Sequence, residues 1–169
     1  MTHSPRQAIL AAVTAAAVVA LTGCTNPFPG IQFTPEETIT STGMENAPYP
    51  ADLEHLDDIL ALGKTTLPEG TTDITVSPAL KTAEASPRAW GYVIAYHADP
   101  QPIRNHIDTY TDLKGKNLES YPDSTTFIYI KDIDFSDIHH PVITGFGKVK
   151  LVIERPLGRC WLLIRGAPR

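Results

Sequence analysis

Cysteine is nearly missing from this chain of 169 residues: it has two, Cys24 and Cys160. No Cys-x-x-Cys occurs, nor a His-Glu-x-x-His pair or a Gly-x-Ser-x-Gly elbow, so thioredoxin-like, zincin and serine-hydrolase chemistry have no local support. Gly63-Lys64-Thr65 ends like a phosphate loop, but that motif needs a glycine five residues before its last one, and position 58 is Asp. Thr144-Gly145-Phe146-Gly147-Lys148 lacks the spacing of a dinucleotide turn and reads as a flexible lead into a strand. Positive charge is also in short supply, 14 Lys and Arg against 19 Asp and Glu, which argues against a nucleic-acid partner. No internal repeat is present.

A long hydrophobic run is lacking as well. Met1 to Gln7 are polar with one cation, Arg6, and Ala8 to Ala20 are almost wholly Ala, Val, Leu and Ile. Extended to Gly23 the run gives 16 residues, about 24 Å of helix against a hydrocarbon core of about 30 Å, which disfavours a permanent span. The run closes on Leu21-Thr22-Gly23-Cys24, which resembles the lipobox of bacterial lipoproteins. The resemblance covers the first 24 residues. It implies a signal peptide over 1–23 that is removed, and Cys24 carrying a thioether diacylglycerol and a further acyl chain such as palmitate. It further implies an exported protein lipid-anchored at the outer face of the cell membrane. Two or more chains anchor firmly, at roughly 0.8 kcal/mol per buried methylene.

On that reading the mature chain has 146 residues, 13 cations and 19 acids. It suffices for one domain but not for the two lobes of a solute-binding transport protein. With Cys24 lipidated, Cys160 has no disulfide partner, so stability comes from packing. Residues 24–48, with Pro27, Pro29, Pro35 and Pro48, read as a flexible tether reaching roughly 25 to 30 Å. The alternative is that Ile31 and Phe33 add an edge strand to the domain.

Residues 49–169 read as a single domain. Leu53, Leu56, Ile59, Leu60 and Leu62 predict a helix over about 51–62, stopped by Gly63. Residues 72–77 alternate as a strand, and 78–86 read as a loop. In 89–98 Trp90, Tyr92, Ile94 and Tyr96 share one strand face. Asp99-Pro100 starts a helix carried by Ile103, His106, Ile107, Tyr110 and Leu113. Residues 126–131 predict a further strand, and 148–154 with 159–165 predict a hairpin about Pro156-Leu157-Gly158. The fold class is α+β: a mainly antiparallel sheet of about five strands with two helices packed on one face.

Candidate chemistry is concentrated in three places. Asp132, Asp134, Asp137, His139 and His140 place five potential metal ligands within nine residues. Ile133, Phe135 and Ile138 interleave with them, the pattern of a strand or loop with a buried side and a wet acidic side, and the central Gly and terminal Glu of a calcium loop are missing. His97 and His106 are possible acid–base groups, but no nucleophile or carboxylate pairs with them by spacing. Cys160 shares a strand face with Leu162 and Ile164, as a buried thiol would.

Charge is segregated along the chain. Residues 141–169 carry Lys148, Lys150, Arg155, Arg159, Arg165 and Arg169 against Glu154, a net of +5, while 24–140 carry a net of −11. The basic hairpin either docks on an anionic surface or polymer or an acidic envelope protein, or it complements the acidic helices of its own domain. The sequence therefore favours a non-enzymatic binding or accessory lipoprotein of the cell envelope, without a cofactor. An envelope hydrolase or modifying enzyme is one alternative. A small-ligand or metal binder using the Trp90, Tyr92 and Tyr96 face is the other.

Overall fold

The computed structural model describes residues 44–86, 88–113, 117–127 and 130–167. Cys24, Ile31, Phe33 and Arg169, with most of the tether, lie outside them. The elements in chain order are α1 (Leu56–Gly63), β1 (Thr72–Pro78), α2 (Leu80–Ala85), β2 (Trp90–His97), α3 (Pro100–Tyr110), β3 (Val142–Thr144), β4 (Val149–Ile153) and β5 (Arg159–Gly166), with a 3₁₀ turn at Leu118–Ser120. The five strands form one antiparallel sheet in the order β1-β2-β5-β4-β3, as expected of an α+β chain.

Period-2 patterning sets the two faces. Tyr92 lies opposite Ile164, Ile94 opposite Leu162 and Tyr96 opposite Cys160, and Leu162 and Cys160 in turn oppose Leu151 and Ile153. These side chains form one buried layer, covered by Ile59 and Leu60 of α1 and by Ile103 and Ile107 of α3. Val93, Val152 and Leu163 face the other way. Among the described residues no helix pair roofs that side. Ile130, Ile133 and Ile138, with half-buried Phe135, close it from an irregular segment. The interleaved apolar residues of the acidic stretch are thus a second core, and Phe127 stacks on Phe135 at 4.0 Å between ring centroids.

Four expectations are corrected. The first helix begins at Leu56, not near 51, and Lys64 rather than Gly63 takes the left-handed position that ends it (φ 52°). Gly63 is needed for another reason: a Cβ there would stand 3.0 Å from Val149 Cγ2 and 3.1 Å from Ile164 Cδ1, so its absence lets α1 close onto the sheet. The stretch read as a loop over 78–86 contains α2. The amides of its second and third residues, Lys81 and Thr82, donate to Asp132 at 2.6 and 3.1 Å, so they are capped by a residue about 50 positions away. The fifth strand is Val142–Thr144, and the described residues of 126–131 belong to no strand.

Met44, Ala47, Tyr49 and Ala51 pack against the main core. The Tyr92 hydroxyl accepts from Tyr49 N–H (3.0 Å) and donates to Tyr49 C=O (2.7 Å), pinning this segment to the central strand. The packed body therefore includes residues that the composition assigns to the tether.

Arg155, at the end of β4, is 8% exposed. Its guanidinium donates to the carbonyls of His140 (2.9 Å), Leu118 (2.9 Å) and Tyr121 (2.5 Å), and pairs with Asp123. The neighbouring Glu154 receives both Nε (2.5 Å) and Nη2 (2.7 Å) of Arg159 and the His139 amide (3.0 Å). The Arg159 hydrogen bond, followed by the His139 amide, holds the Glu154 carboxyl below its ordinary value despite burial. Arg155→Ala should cost roughly 3 to 5 kcal/mol in urea unfolding, because the His140 and Tyr121 carbonyls lose their guanidinium donor and Asp123 loses its arginine partner. Arg155→Lys should recover only part of this, since an ammonium cannot span the fork. The exposed Arg104–Glu119 pair is the control: Arg104→Ala should leave the midpoint unchanged.

Candidate functional site

The turn joining β3 to β4 overhangs a cavity. Gly145 (φ 136°) lies against the Val149 carbonyl where no Cβ could fit, so the chain doubles back and lifts Phe146 into solvent, 74% exposed. Beneath is a cavity of about 670 Å³. Its walls come from the end of α1 (Leu62 to Thr65), the end of α3 (His106, Tyr110, Thr111), the turn itself, and Val149, Leu151 and Leu162 of the sheet. Thr65 and Thr111 put hydroxyls in this lining, but Thr111 is committed, donating to the Ile107 carbonyl (3.0 Å) and accepting from Leu113 N–H (3.2 Å). Lys64, Lys148 and Asp112 are its charged residues.

His106 is 6% exposed, with its ring 4.7 Å from that of Tyr110. Burial pushes its pKa down to about 4, so the imidazole is neutral at physiological pH. Sequence reasoning counted His106 among the residues that carry this helix and as a possible acid–base group; the fold makes it a cavity wall. His97 is half exposed beside Asp73 at 3.5 Å, a carboxylate brought to it by β1–β2 pairing. Cys160 is buried and its thiol is pushed up to about 12 by desolvation, so it is protonated. Trp90, Tyr92 and Tyr96 belong to the closed main core and offer no open ligand face.

The five potential metal ligands are dispersed. The Asp132 carboxylate receives the α2 amides and the Thr82 hydroxyl (2.5 Å). Asp134 receives the Ser136 amide (2.9 Å), which with the Ser136 side chain lowers its pKa. The Asp137 carbonyl accepts from Arg159 (2.6 Å), the His139 amide serves Glu154, and His140 Nδ1 lies 3.0 Å from Asp123. Among the described residues no three His, Cys, Asp or Glu side chains form a metal-holding group.

The basic residues divide. Arg155 and Arg159 are spent on Asp123, Glu154 and backbone carbonyls, so the internal-complement reading holds for these two. Lys150 lines a shallow depression with Asp112, Thr126, Ile130 and Ile143. Lys148 and Arg165, joined by an Arg165 N–H to Lys148 C=O bond (3.2 Å), line a separate cleft of about 490 Å³ together with Lys81 and Lys131. Sequence reasoning did not single out Lys81 or Lys131. They sit far apart in the chain, and no spacing rule connects them to the hairpin.

No helix among the described residues is long and apolar enough to cross a membrane. No family model, curated protein or solved structure matches the chain.

The buried imidazole has a pH signature. The unfolded chain binds a proton at His106 near pH 6.5 and the folded one only near pH 4. Its contribution to stability is thus complete above pH 6.5 and lost as pH falls towards 4, at up to about 1.4 kcal/mol per pH unit before screening by cavity water. His106→Gln should flatten urea-unfolding stability across this window while leaving the steeper loss below pH 4, which is carboxylate-driven. A variant with the wild-type slope would show that the imidazole titrates as it does in water.

Proposed function

We propose that this protein is an exported lipoprotein, held through Cys24 at the outer face of the cell membrane, and that its domain is a non-enzymatic binding module of the envelope. The observation that carries the binding reading is the cavity of about 670 Å³ beneath the Gly145–Val149 turn. Its volume is in the range of small-ligand sites, and its walls are chiefly apolar with a few hydroxyls and a neutral imidazole. Phe146 stands exposed at its lip, an aromatic side chain with apolar surface left to cover. The occupant that fits is a small, mainly apolar molecule with one or two hydrogen-bonding groups. The address comes from the Leu21-Thr22-Gly23-Cys24 stretch and the apolar run before it.

Two measurements test the two halves separately. Radiolabelled palmitate fed to expressing cells should appear in the wild-type protein and not in Cys24→Ala; label retained by the variant would sink the lipoprotein assignment. The neutral probe N-phenyl-1-naphthylamine should bind the purified full chain saturably. Phe146→Ala, which removes the lip, and Thr109→Trp, which fills the mouth from the exposed side of α3, should each weaken it about 5-fold or more. Equal affinity in all three proteins would remove the cavity as the binding site.

A further inference from the structure

The cleft on the other side of the β3–β4 turn is a second site of opposite character. It is bounded by α2 through Lys81, Thr82, Ala85 and Ser86, by Lys131, and by the Gly147–Lys148 and Arg165–Gly166 segments. Four cationic side chains from four separate parts of the chain line it, and among the described lining residues none is acidic. In a protein with five more acids than Lys and Arg overall, this is a local reversal of sign.

The arrangement is built rather than incidental. Asp132 grips the start of α2 through the Lys81 and Thr82 amides and the Thr82 hydroxyl, which fastens Lys81 next to the segment carrying Lys131. The same three donors occupy the Asp132 carboxylate, the acid closest in sequence to Lys131. Lys81 also lies close enough to Asp134 to lower its pKa, behind the larger effect of Ser136, and Asp134 does not line the cleft. Lys148 is fixed from the opposite wall by the backbone bond to Arg165. Clustered cations repel one another, and a multiply charged anion between them relieves that repulsion.

We propose that this cleft binds a phosphate ester, with Lys81, Lys131 and Lys148 supplying charge and Ser86 an additional hydroxyl donor. Ammonium groups meet phosphate oxygens as point charges from several directions, which suits a group carrying up to two negative charges and three acceptor oxygens. The volume of about 490 Å³ exceeds that of a bare ion and accommodates a small polar group attached to the phosphate. The same chemistry is presented by a soluble phosphate ester and by the headgroup of an anionic phospholipid.

Isothermal titration of the purified full chain distinguishes these sources. The probes are glycerol 3-phosphate, dihexanoyl phosphatidylglycerol below its micelle concentration, and dihexanoyl phosphatidylcholine. Glycerol 3-phosphate should bind with one-to-one saturation. The double variant Lys131→Gln, Lys148→Gln should weaken it at least about 10-fold, with a melting temperature equal to or above wild type because like charges have been removed. Lys150→Gln, outside the cleft, should bind as wild type does. Tighter binding of dihexanoyl phosphatidylglycerol that is lost in the double variant would identify the phospholipid headgroup as the source, and equal binding would identify the phosphate ester alone. Failure of both anionic probes to saturate overturns the proposal. So does an affinity that Lys150→Gln lowers as much as the double variant, or phosphatidylcholine binding as well as phosphatidylglycerol.

Discussion

The guanidinium of Arg155 is the constraint on which the loop-rich half of this domain depends. The sheet can be assembled by strand patterning, but residues 117–127 and 130–141 include no strand among their described members and little helix. Their carbonyls must be satisfied by something other than a ladder. Arg155 does this for Leu118, Tyr121 and His140 at once, and its pairing with Asp123 neutralises a charge that burial would otherwise make costly. Because Arg155 is the continuation of β4, the two loops are referenced directly to the sheet. With them come Ile130, Ile133 and Ile138, which close its second face.

The same economy sorts the charges. A chain with a basic end and an acidic body can fold so that opposite charges cancel or so that they remain displayed, and this one does both. Glu154 and Arg159, five residues apart across the β4–β5 connection, neutralise each other and also hold the His139 amide and the Asp137 carbonyl. The lysines are treated differently. Asp132, which could have answered Lys81 or Lys131, is given to the backbone of α2 instead, so positive side chains from three elements are left around one cleft. The two cavities share Gly147 and Lys148 of the β3–β4 turn but differ in their remaining walls. One is roofed by α1, α3 and the glycine turn, the other by α2 and the Lys131 segment.

Legibility followed the range of the forces involved. The face shared by Trp90, Tyr92, Ile94 and Tyr96, the helix opened by Asp99-Pro100 and the hairpin about Pro156 could be read directly, because alternation, proline stereochemistry and turn composition act over a few residues. The apolar side of the 132–140 stretch was legible too, as Ile133 and Ile138 are buried. Helix α2 was not. Neither its Ala79 cap nor its short length announces a helix, and the carboxylate that satisfies its Lys81 and Thr82 amides is Asp132, brought in by tertiary folding. The described residues of the strand expected over 126–131 fall short of one for the complementary reason: Ile130 is buried by packing onto a sheet face rather than by joining its ladder.

For the site, composition identified which residues could do chemistry but not which would meet. The sequence by itself determined the two-faced strands, the segregation of charge and the want of cysteine or nucleophile motifs, since each is a property of neighbours along the chain. Only the tertiary structure decided that His106 would be a neutral wall beside Tyr110, that Arg155 would turn inward, and that Lys81 and Lys131 would join Lys148. Those outcomes depend on burial and on pairs dozens of residues apart, and the balance of desolvation against pairing is settled only when the chain has closed around them.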